Sequence, residues 1–489
     1  MESSAAPTPR EAQSKVSGAA LNIPRYSYYA LGVLTLVNFL NYIDRQILPT
    51  VAPLMAADLH LSDTEIGSME AALLLSFTVL APLFGRLGDR YSRTKLMASA
   101  AVIWSIATGL TGVMDHFPVL PGPIHFNVPL ASFTLSLSGV AVVLCLVRAA
   151  VGVGESSYST ITPSLVADYF PPERRATALG IFQAAIPMGF ALGAVIGVML
   201  ARFFGWRLAF MIVGVPGLIT AFFVWRLREP TRGATDLDAH GSVETSQSTA
   251  EVANEKPAST SWLQTSWRII RNRDWFLSTA GYTCLTFVLG AFGTWATLLL
   301  VREKGMSVQN AGVTLGVVIL LAGAAGTFGG GWLADRLARK RRNAYFMVCA
   351  ASSFLGIGPA FVCLSANNPY VFIPAIFLTV FFLFINNAPF HAILLNSVSA
   401  AVRATAVALN IVAIHLFGDV ISRFGVGVLS DSLKAGQSTT LATIATALGI
   451  EPKGEHLTAA LLVVPLALLS SSLFFLWGAR KKGAGSSRQ

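Results

Sequence analysis

The chain has 489 residues, 54% of them hydrophobic and only 12% charged, with a mean hydropathy of +0.61, whereas a soluble domain carries charge on about a quarter of its residues. This composition excludes an ordinary water-soluble enzyme and makes lipid the solvent for much of the surface. The formal net charge of +10 does not point to nucleic acid, because the basic residues are dispersed over short loops between apolar runs and not gathered on one face.

Taken in order, residues 1–24 form a polar tail containing Pro7, Pro9, Arg10, Glu11 and Lys15. They hold no short apolar core ahead of a cleavage site, so the first apolar helix itself directs insertion. Runs of about 20 apolar residues, each long enough to cross a hydrocarbon layer of ~30 Å, then recur as far as Trp477 and predict an all-α integral membrane protein of about twelve transmembrane helices. The expected spans are 26–56, 64–86, 93–114, 132–168, 174–203, 207–227, 274–302, 308–334, 342–365, 370–398, 402–432 and 457–479. They group into an N-terminal six-helix bundle, 25–227, and a C-terminal one, 273–480, with a tail at 481–489. Between the bundles, 228–272 opens with a Ser-, Thr-, Ala- and acid-rich stretch that reads as a cytoplasmic linker. It ends where Trp262, Leu263, Trp267, Ile269 and Ile270 interleave with Arg268 and Arg271, a pattern for a short helix lying on a membrane surface. Cys145, Cys284, Cys349 and Cys363 fall inside apolar runs with no CxxC spacing, so neither a disulfide framework nor a metal site is expected.

Loop charge sets the expected orientation. Arg86, Arg90, Arg93 and Lys95 follow the second span, Arg336, Arg339, Lys340, Arg341 and Arg342 follow the eighth, and Arg480, Lys481 and Lys482 follow the last. By the positive-inside rule these loops, and therefore both termini, face the cytoplasm. The halves also echo each other. Gly85-Arg-Leu-Gly-Asp89-Arg90-Tyr-Ser-Arg93 is matched by Gly331-Trp-Leu-Ala-Asp335-Arg336-Leu-Ala-Arg339, and Arg175-Ala-Thr-Ala178 by Arg403-Ala-Thr-Ala406. Internal duplication of this kind builds alternating-access transporters with a site between the halves.

The doubled G-x-L-x-D-R-x-x-R stretch resembles the signature loop of the major facilitator superfamily, over nearly the whole chain. Within it, Asn41-Tyr-Ile-Asp44-Arg45, Arg148-Ala-Ala-Val-Gly-Val-Gly-Glu155, and His415-Leu-Phe-Gly-Asp419 with Ser430-Asp431 resemble the spinster family. The resemblance implies a fold of two pseudo-symmetric six-helix bundles and a proton-linked carrier of lysophospholipids and sphingoid phosphates. The energy source is then a proton gradient with no cofactor, and the partners are protons, membrane lipid and an anionic amphiphile. Separately, the compactness of the chain favours the cell membrane over an organelle, and a monomer is expected. Arg423 departs from that pattern, which has a small residue or proline there. In superfamily members the repeated loop is a cytoplasmic gate, which here assigns gating to Asp89, Arg90, Arg93, Asp335, Arg336 and Arg339.

Charges within the spans locate the expected chemistry, since an ionised group at the bilayer centre costs roughly 2.5–3.5 kcal/mol on insertion scales and must pair or line a watery cavity. Asn38, Asn41, Tyr42 and Arg45 recur at i, i+3, i+4 and i+7 on one face of the first helix, with Asp44 beside them. Arg148 and Glu155 lie nearly two turns apart on the fourth, ~10.5 Å along its axis, too far for a direct ion pair. The expected arrangement is cross-pairing with Asp44 and Arg45, two acids and two bases in one cavity. Asp44 and Glu155 are then the protonatable pair, and Arg45 and Arg148 hold a phosphate or carboxylate through forked hydrogen bonds. Asn41, Tyr42, Ser157 and Tyr158 line the ligand. Against this stand structural readings, an Asp–Arg pair at the membrane boundary and an Arg148 that only braces helices. His415, Asp419 and Arg423 form an i, i+4, i+8 stripe read as a second relay, with a simple Asp419–Arg423 pair as its alternative.

Competing functions are a proton-linked small organic-anion or drug transporter and a transport-dead membrane sensor. Direct ATP hydrolysis and intramembrane catalysis are unsupported, because the chain has no Walker A stretch, no H-E-x-x-H and no G-x-S-x-G.

Overall fold

A computed structural model describes residues 23–114, 122–128, 133–231, 262–341, 343–398, 402–436, 439–447 and 456–480. Most of the linker expected at 228–261 and both tails lie outside the described residues. A chain solvated by lipid must satisfy its backbone internally, and the elements are accordingly almost all helical. The N-terminal half contains α1 (Arg25–Leu59), α2 (Asp63–Arg90), α3 (Arg93–Thr111), α4 (Gly139–Tyr169) and α5 (Pro172–Trp225). The C-terminal half contains α6 (Trp262–Arg271), α7 (Arg273–Leu298, continued by a π turn Leu299–Glu303), α8 (Val308–Ala338), α9 (Ala344–Ser365), α10 (Pro369–Ile385) and α11 (Asn387–Asn396). It closes with α12 (Arg403–Ala413), a π segment Ile414–Val420, α13 (Ile421–Lys434), α14 (Thr439–Ala447), α15 (Leu457–Ala460) and α16 (Val463–Ala479).

Among the described residues nine helices are long and apolar enough to cross a membrane. One of them folds as two spans, because Gly205 at φ 80° and ψ 162° breaks α5 with backbone angles open to glycine and strained for other residues. α1 and α3 join the bundle although they are less apolar, α1 because it carries Asn38, Asn41, Asp44 and Arg45 inside its length. These crossings make up the expected twelve. Large apolar side chains such as Phe328 (80% exposed) and Leu146 (64%) point off the outside of the bundle, as lipid-facing residues do.

Two boundaries differ from expectation. The span read from residue 132 begins at Gly139, where Ser138 caps α4 by accepting from the Ala141 amide. The preceding Phe133–Leu137 is a strand, antiparallel to Ile124–Val128, so the Pro-rich connection between α3 and α4 holds a hairpin. Alternation over Phe-Thr-Leu-Ser-Leu suits that pairing better than a helix. The tenth span is divided at Asn386 into α10 and α11.

Within the N-terminal half α1 packs on α5, and α2 and α3 pack on α4; the halves meet where α2 lies along α13 and α5 along α8. Closeness at α2–α13 depends on Gly427, whose added Cβ would meet the Asp63 carbonyl and the Thr64 Cα. Gly427→Ala is therefore expected to destabilise the protein by about 1–3 kcal/mol through overpacking. Gly32→Ala, with open space around the added methyl, should leave the thermal midpoint in detergent unchanged or slightly raised. Equal melting of Gly427→Ala and the parent would show that this contact does not hold the halves together.

Candidate functional site

The site grows from the polar face of α1. Arg45 Nε donates to Glu155 Oε2 on α4 at 2.7 Å, with the carboxylate fully buried and the arginine side chain 15% exposed. The guanidinium carbon lies 4.9 Å from the Phe77 ring centre and 5.2 Å from that of Tyr42, so aromatic faces share its charge. Pro49 stands four residues later and has no N–H, which leaves the Arg45 carbonyl without its helical donor in the same wall. This is one half of the expected cross-pairing.

The other half is not formed. Asp44 is buried and accepts from Trp104 Nε1 and, at 2.6 Å, from Thr108 Oγ1, both on α3. One residue of helix is a turn of ~100°, so Asp44 faces α3 while Arg45 faces α4. Arg148, fully buried, instead approaches Glu70 of α2 with Nη2 3.5 Å from Oε1. Arg148 Nε and Nη1 and Asp44 Oδ1 have no hydrogen-bond partner among the described residues.

Glu70 is the residue that sequence reading missed. Its second oxygen accepts from Arg423 Nη1 at 2.7 Å, across the boundary between the halves, and Arg423 Nη1 also donates to Thr294 Oγ1 on α7 at 2.9 Å. Its signal in the sequence was an acid about two turns inside an apolar span, itself a reason to look for a partner. Arg423 thereby leaves its expected stripe. The π segment Ile414–Val420 widens the helix, so i, i+4, i+8 no longer share a face. His415 Nδ1 meets Asp419 Oδ2 at 2.7 Å, and the Asp419–Arg423 pair is replaced by Glu70–Arg423. Phe77 stands edge-on to His415 at 5.8 Å, between the His415–Asp419 pair and Arg45.

A cavity opens here, lined by Arg45, Glu70, Arg148, Phe190 and Arg423 among others. Of the remaining expected contacts, Tyr42 packs against Phe190, and Asn41 and Ser157 are buried with Asn41 Nδ2 and Ser157 Oγ unpartnered among the described residues. Asn38 donates to the Phe182 carbonyl at 2.9 Å. Tyr158 is a correction. Its hydroxyl donates to the Leu34 carbonyl within the α1–α4 packing, which makes it a helix brace away from the cavity.

At the end bearing the termini, Arg90, Asp335, Arg336 and Arg339 are exposed, and the Asp89 side chain lies outside the described residues. Asp335 accepts from the Tyr345 hydroxyl at 3.0 Å and Arg336 covers the Trp332 ring. Arg93, assigned with them, is buried within its own half, where it pairs with Asp168 at 2.6 Å and Glu229 at 3.2 Å. Partial burial opposes the charge of Glu229, but the Ser92 hydroxyl and the Arg93 amide and guanidinium outweigh it and hold the carboxyl below its usual range. At the far end the halves are tied by charge. Asp63 accepts from Arg302 Nη1 at 2.6 Å, Lys434 Nζ at 2.8 Å and Ser430 Oγ at 2.7 Å, and Asp431 accepts from the Asp63 and Thr64 amides at 3.3 and 2.7 Å.

The model of the Major Facilitator Superfamily matches residues 34–422. Protein spinster of Drosophila melanogaster is 30% identical over 423 residues, 84% of this chain and 63% of that protein. Human protein spinster homolog 1 is 32% identical over 445 residues, 87% of this chain and 76% of that protein. The chain belongs to the spinster family of the Major Facilitator Superfamily. Its fold is that of a bacterial homolog to human lysosomal transporter Spinster in an inward-facing and occupied conformation, with TM-score 0.69 at 21% identity over 93% of this chain and 96% of that one. A D-xylose–proton symporter shares it with TM-score 0.67 at 17% identity over 92% and 97%. This spinster-family chain is thus a multi-pass membrane transporter.

Removing the far-end charge should open that end. In Asp63→Asn, Arg302 and Lys434 lose their shared anion, and about 1.4 kcal/mol is enough to move an open-to-closed ratio tenfold. Spin labels at the exposed positions His60 and Ala435 should move apart by pulsed dipolar spectroscopy; an unchanged distance distribution would refute the clamp.

Proposed function

We propose that the chain is a proton-coupled secondary transporter, working by alternating access, that moves an amphipathic anion of the lysophospholipid or sphingoid-phosphate kind. The observation that carries this reading is that Arg45, paired with the buried Glu155, and Arg148, with two unpartnered nitrogens among the described residues, line one cavity. The site balances Asp44, Glu70 and Glu155 against Arg45, Arg148 and Arg423. An incoming anion upsets that balance in a medium where uncompensated charge is costly, and a proton on Glu155 restores it. The anion and Glu155 compete for the same guanidinium, so each favours the state that the other needs: protonation frees Arg45, and an anion on Arg45 favours protonation. Asp44, held by Trp104 and Thr108, is the second protonatable group.

In the same reading both termini face the cytoplasm, the protein acts as a monomer in the cell membrane, and the cargo enters from the terminus-bearing end when the far end is clamped. The repeated loops, with Asp89, Arg90, Asp335, Arg336 and Arg339, close that end in the alternate state. Arg93 holds the loop in shape from within its own half.

Uptake of a lysophospholipid into proteoliposomes should rise when a proton gradient is imposed, and its affinity should rise as pH falls. Glu155→Gln, a fixed mimic of the protonated acid, should bind the anion with a weaker pH dependence than the parent, Asp44 still titrating, and lose gradient-driven accumulation. Gradient-driven accumulation that survives in Glu155→Gln would sink the coupling. Arg148→Ala should weaken binding by about tenfold or more, the size of a charge-assisted hydrogen bond; unchanged affinity would remove Arg148 from the anion site.

A further inference from the structure

The Glu70 carboxylate is gripped by two arginines from different halves. One oxygen faces Arg148 of α4 and the other faces Arg423 of α13. Both arginines line the cavity, and both hold donors with no partner among the described residues: Nε and Nη1 of Arg148 and Nε of Arg423. Arg148 is fully buried, so its spare donors cannot turn to bulk water. Guanidiniums are built for two-oxygen anions, and a single carboxylate here engages one nitrogen of each.

We propose that Arg423 and Arg148 form an anion subsite spanning the two halves and that Glu70 is its resident ligand, displaced by the phosphate or carboxylate head of the cargo. This deepens the anion reading above and rests on it. Arg45 and Glu155 lie within the N-terminal half, so anion binding there alone does not tell the C-terminal half that the site is filled. An anion that replaces Glu70 takes over the one mid-depth ion pair described between the halves. The head must present at least two anionic oxygens to reach both arginines as Glu70 does. Thr294 positions Arg423 by accepting from the nitrogen that meets Glu70.

The test is equilibrium binding to the purified full-length protein with three probes: lysophosphatidic acid, a monoacylglycerol of the same acyl chain, and inorganic phosphate. Glu70→Gln removes the internal competitor and should tighten lysophosphatidic acid by about tenfold, while Arg423→Gln should weaken it by a similar factor, each the size of one exchanged charge-assisted hydrogen bond. In Glu70→Gln/Arg423→Gln the gain from the first substitution should largely vanish. Thr294→Val keeps both charges and should weaken binding by about threefold, less than the loss of a direct charge-assisted hydrogen bond because Thr294 acts only through Arg423, which keeps the idea testable if Glu70→Gln melts early. Monoacylglycerol binding should be the same in all variants, a check on folding. Inorganic phosphate that competes in an Arg423-dependent way supports the subsite. If it binds as tightly as the lipid, the subsite takes the free anion in preference to a lipid head.

The proposal is overturned if Glu70→Gln leaves lysophosphatidic acid binding unchanged or weaker while Arg148→Ala still reduces it. Glu70 is then a brace, and the anion reading stands. If the parent protein does not distinguish lysophosphatidic acid from monoacylglycerol, the anion reading itself fails and takes the subsite with it.

Discussion

A guanidinium surrounded by helices in hydrocarbon has few ways to settle its charge, and much of the interior follows from where carboxylates are found for Arg45, Arg148 and Arg423. Glu155 answers Arg45 and joins α1 to α4. Glu70 answers both others, and so joins α2 to α4 and the first half to the second. Breaking such a pair by removing one partner costs several kcal/mol because the survivor stays buried. The same pairs are therefore stable at rest and sensitive to any mobile anion or proton that offers a substitute. Packing adds the geometry, as at Gly427, where backbone approaches backbone and lets the charges of α2 and α13 meet.

Much of this was legible from the chain alone. Run length and loop charge were enough to read a multi-pass bundle, because lipid permits so few alternatives to the helix. The doubled loop was enough to read a repeat. Arg45 with Glu155 followed from spacing, since arginine and acid two turns apart on one helix each need a partner elsewhere. What could not be read was rotation. Asp44 and Arg45 are neighbours in sequence, yet α3 claims one and α4 the other, and periodicity on one helix carries no record of which neighbour lies on each side. The π segment before Arg423 hid in the same way: one widened turn moves a side chain off its stripe while leaving composition untouched. Glu70 was visible as an acid inside an apolar span, but its partners come from two other helices and from opposite halves of the chain.

The two ends of the molecule handle charge differently. At the terminus-bearing end the repeated loops present exposed arginines and an aspartate, and Arg93 is turned inward to Asp168 and Glu229. At the far end Asp63 gathers Arg302, Lys434 and Ser430 from the opposite half. The duplicated motif therefore marks the end where charge is exposed here, while the clamp that holds the halves together uses residues with no counterpart in the repeat.

The start of α2 illustrates what this clamp demands of the chain. Its Glu65 amide is satisfied locally by Ser62, and the Glu65 carboxylate returns to the Ser62 amide, while the Asp63 and Thr64 amides rely on Asp431 from the other half. Separating the halves strips away only the borrowed cap. The local one remains, as helix starts require if their first turn is not to fray. The clamp is in this sense a latch fitted to a hinge that keeps its own pin: were the halves to part here, the helix beneath it would stay wound.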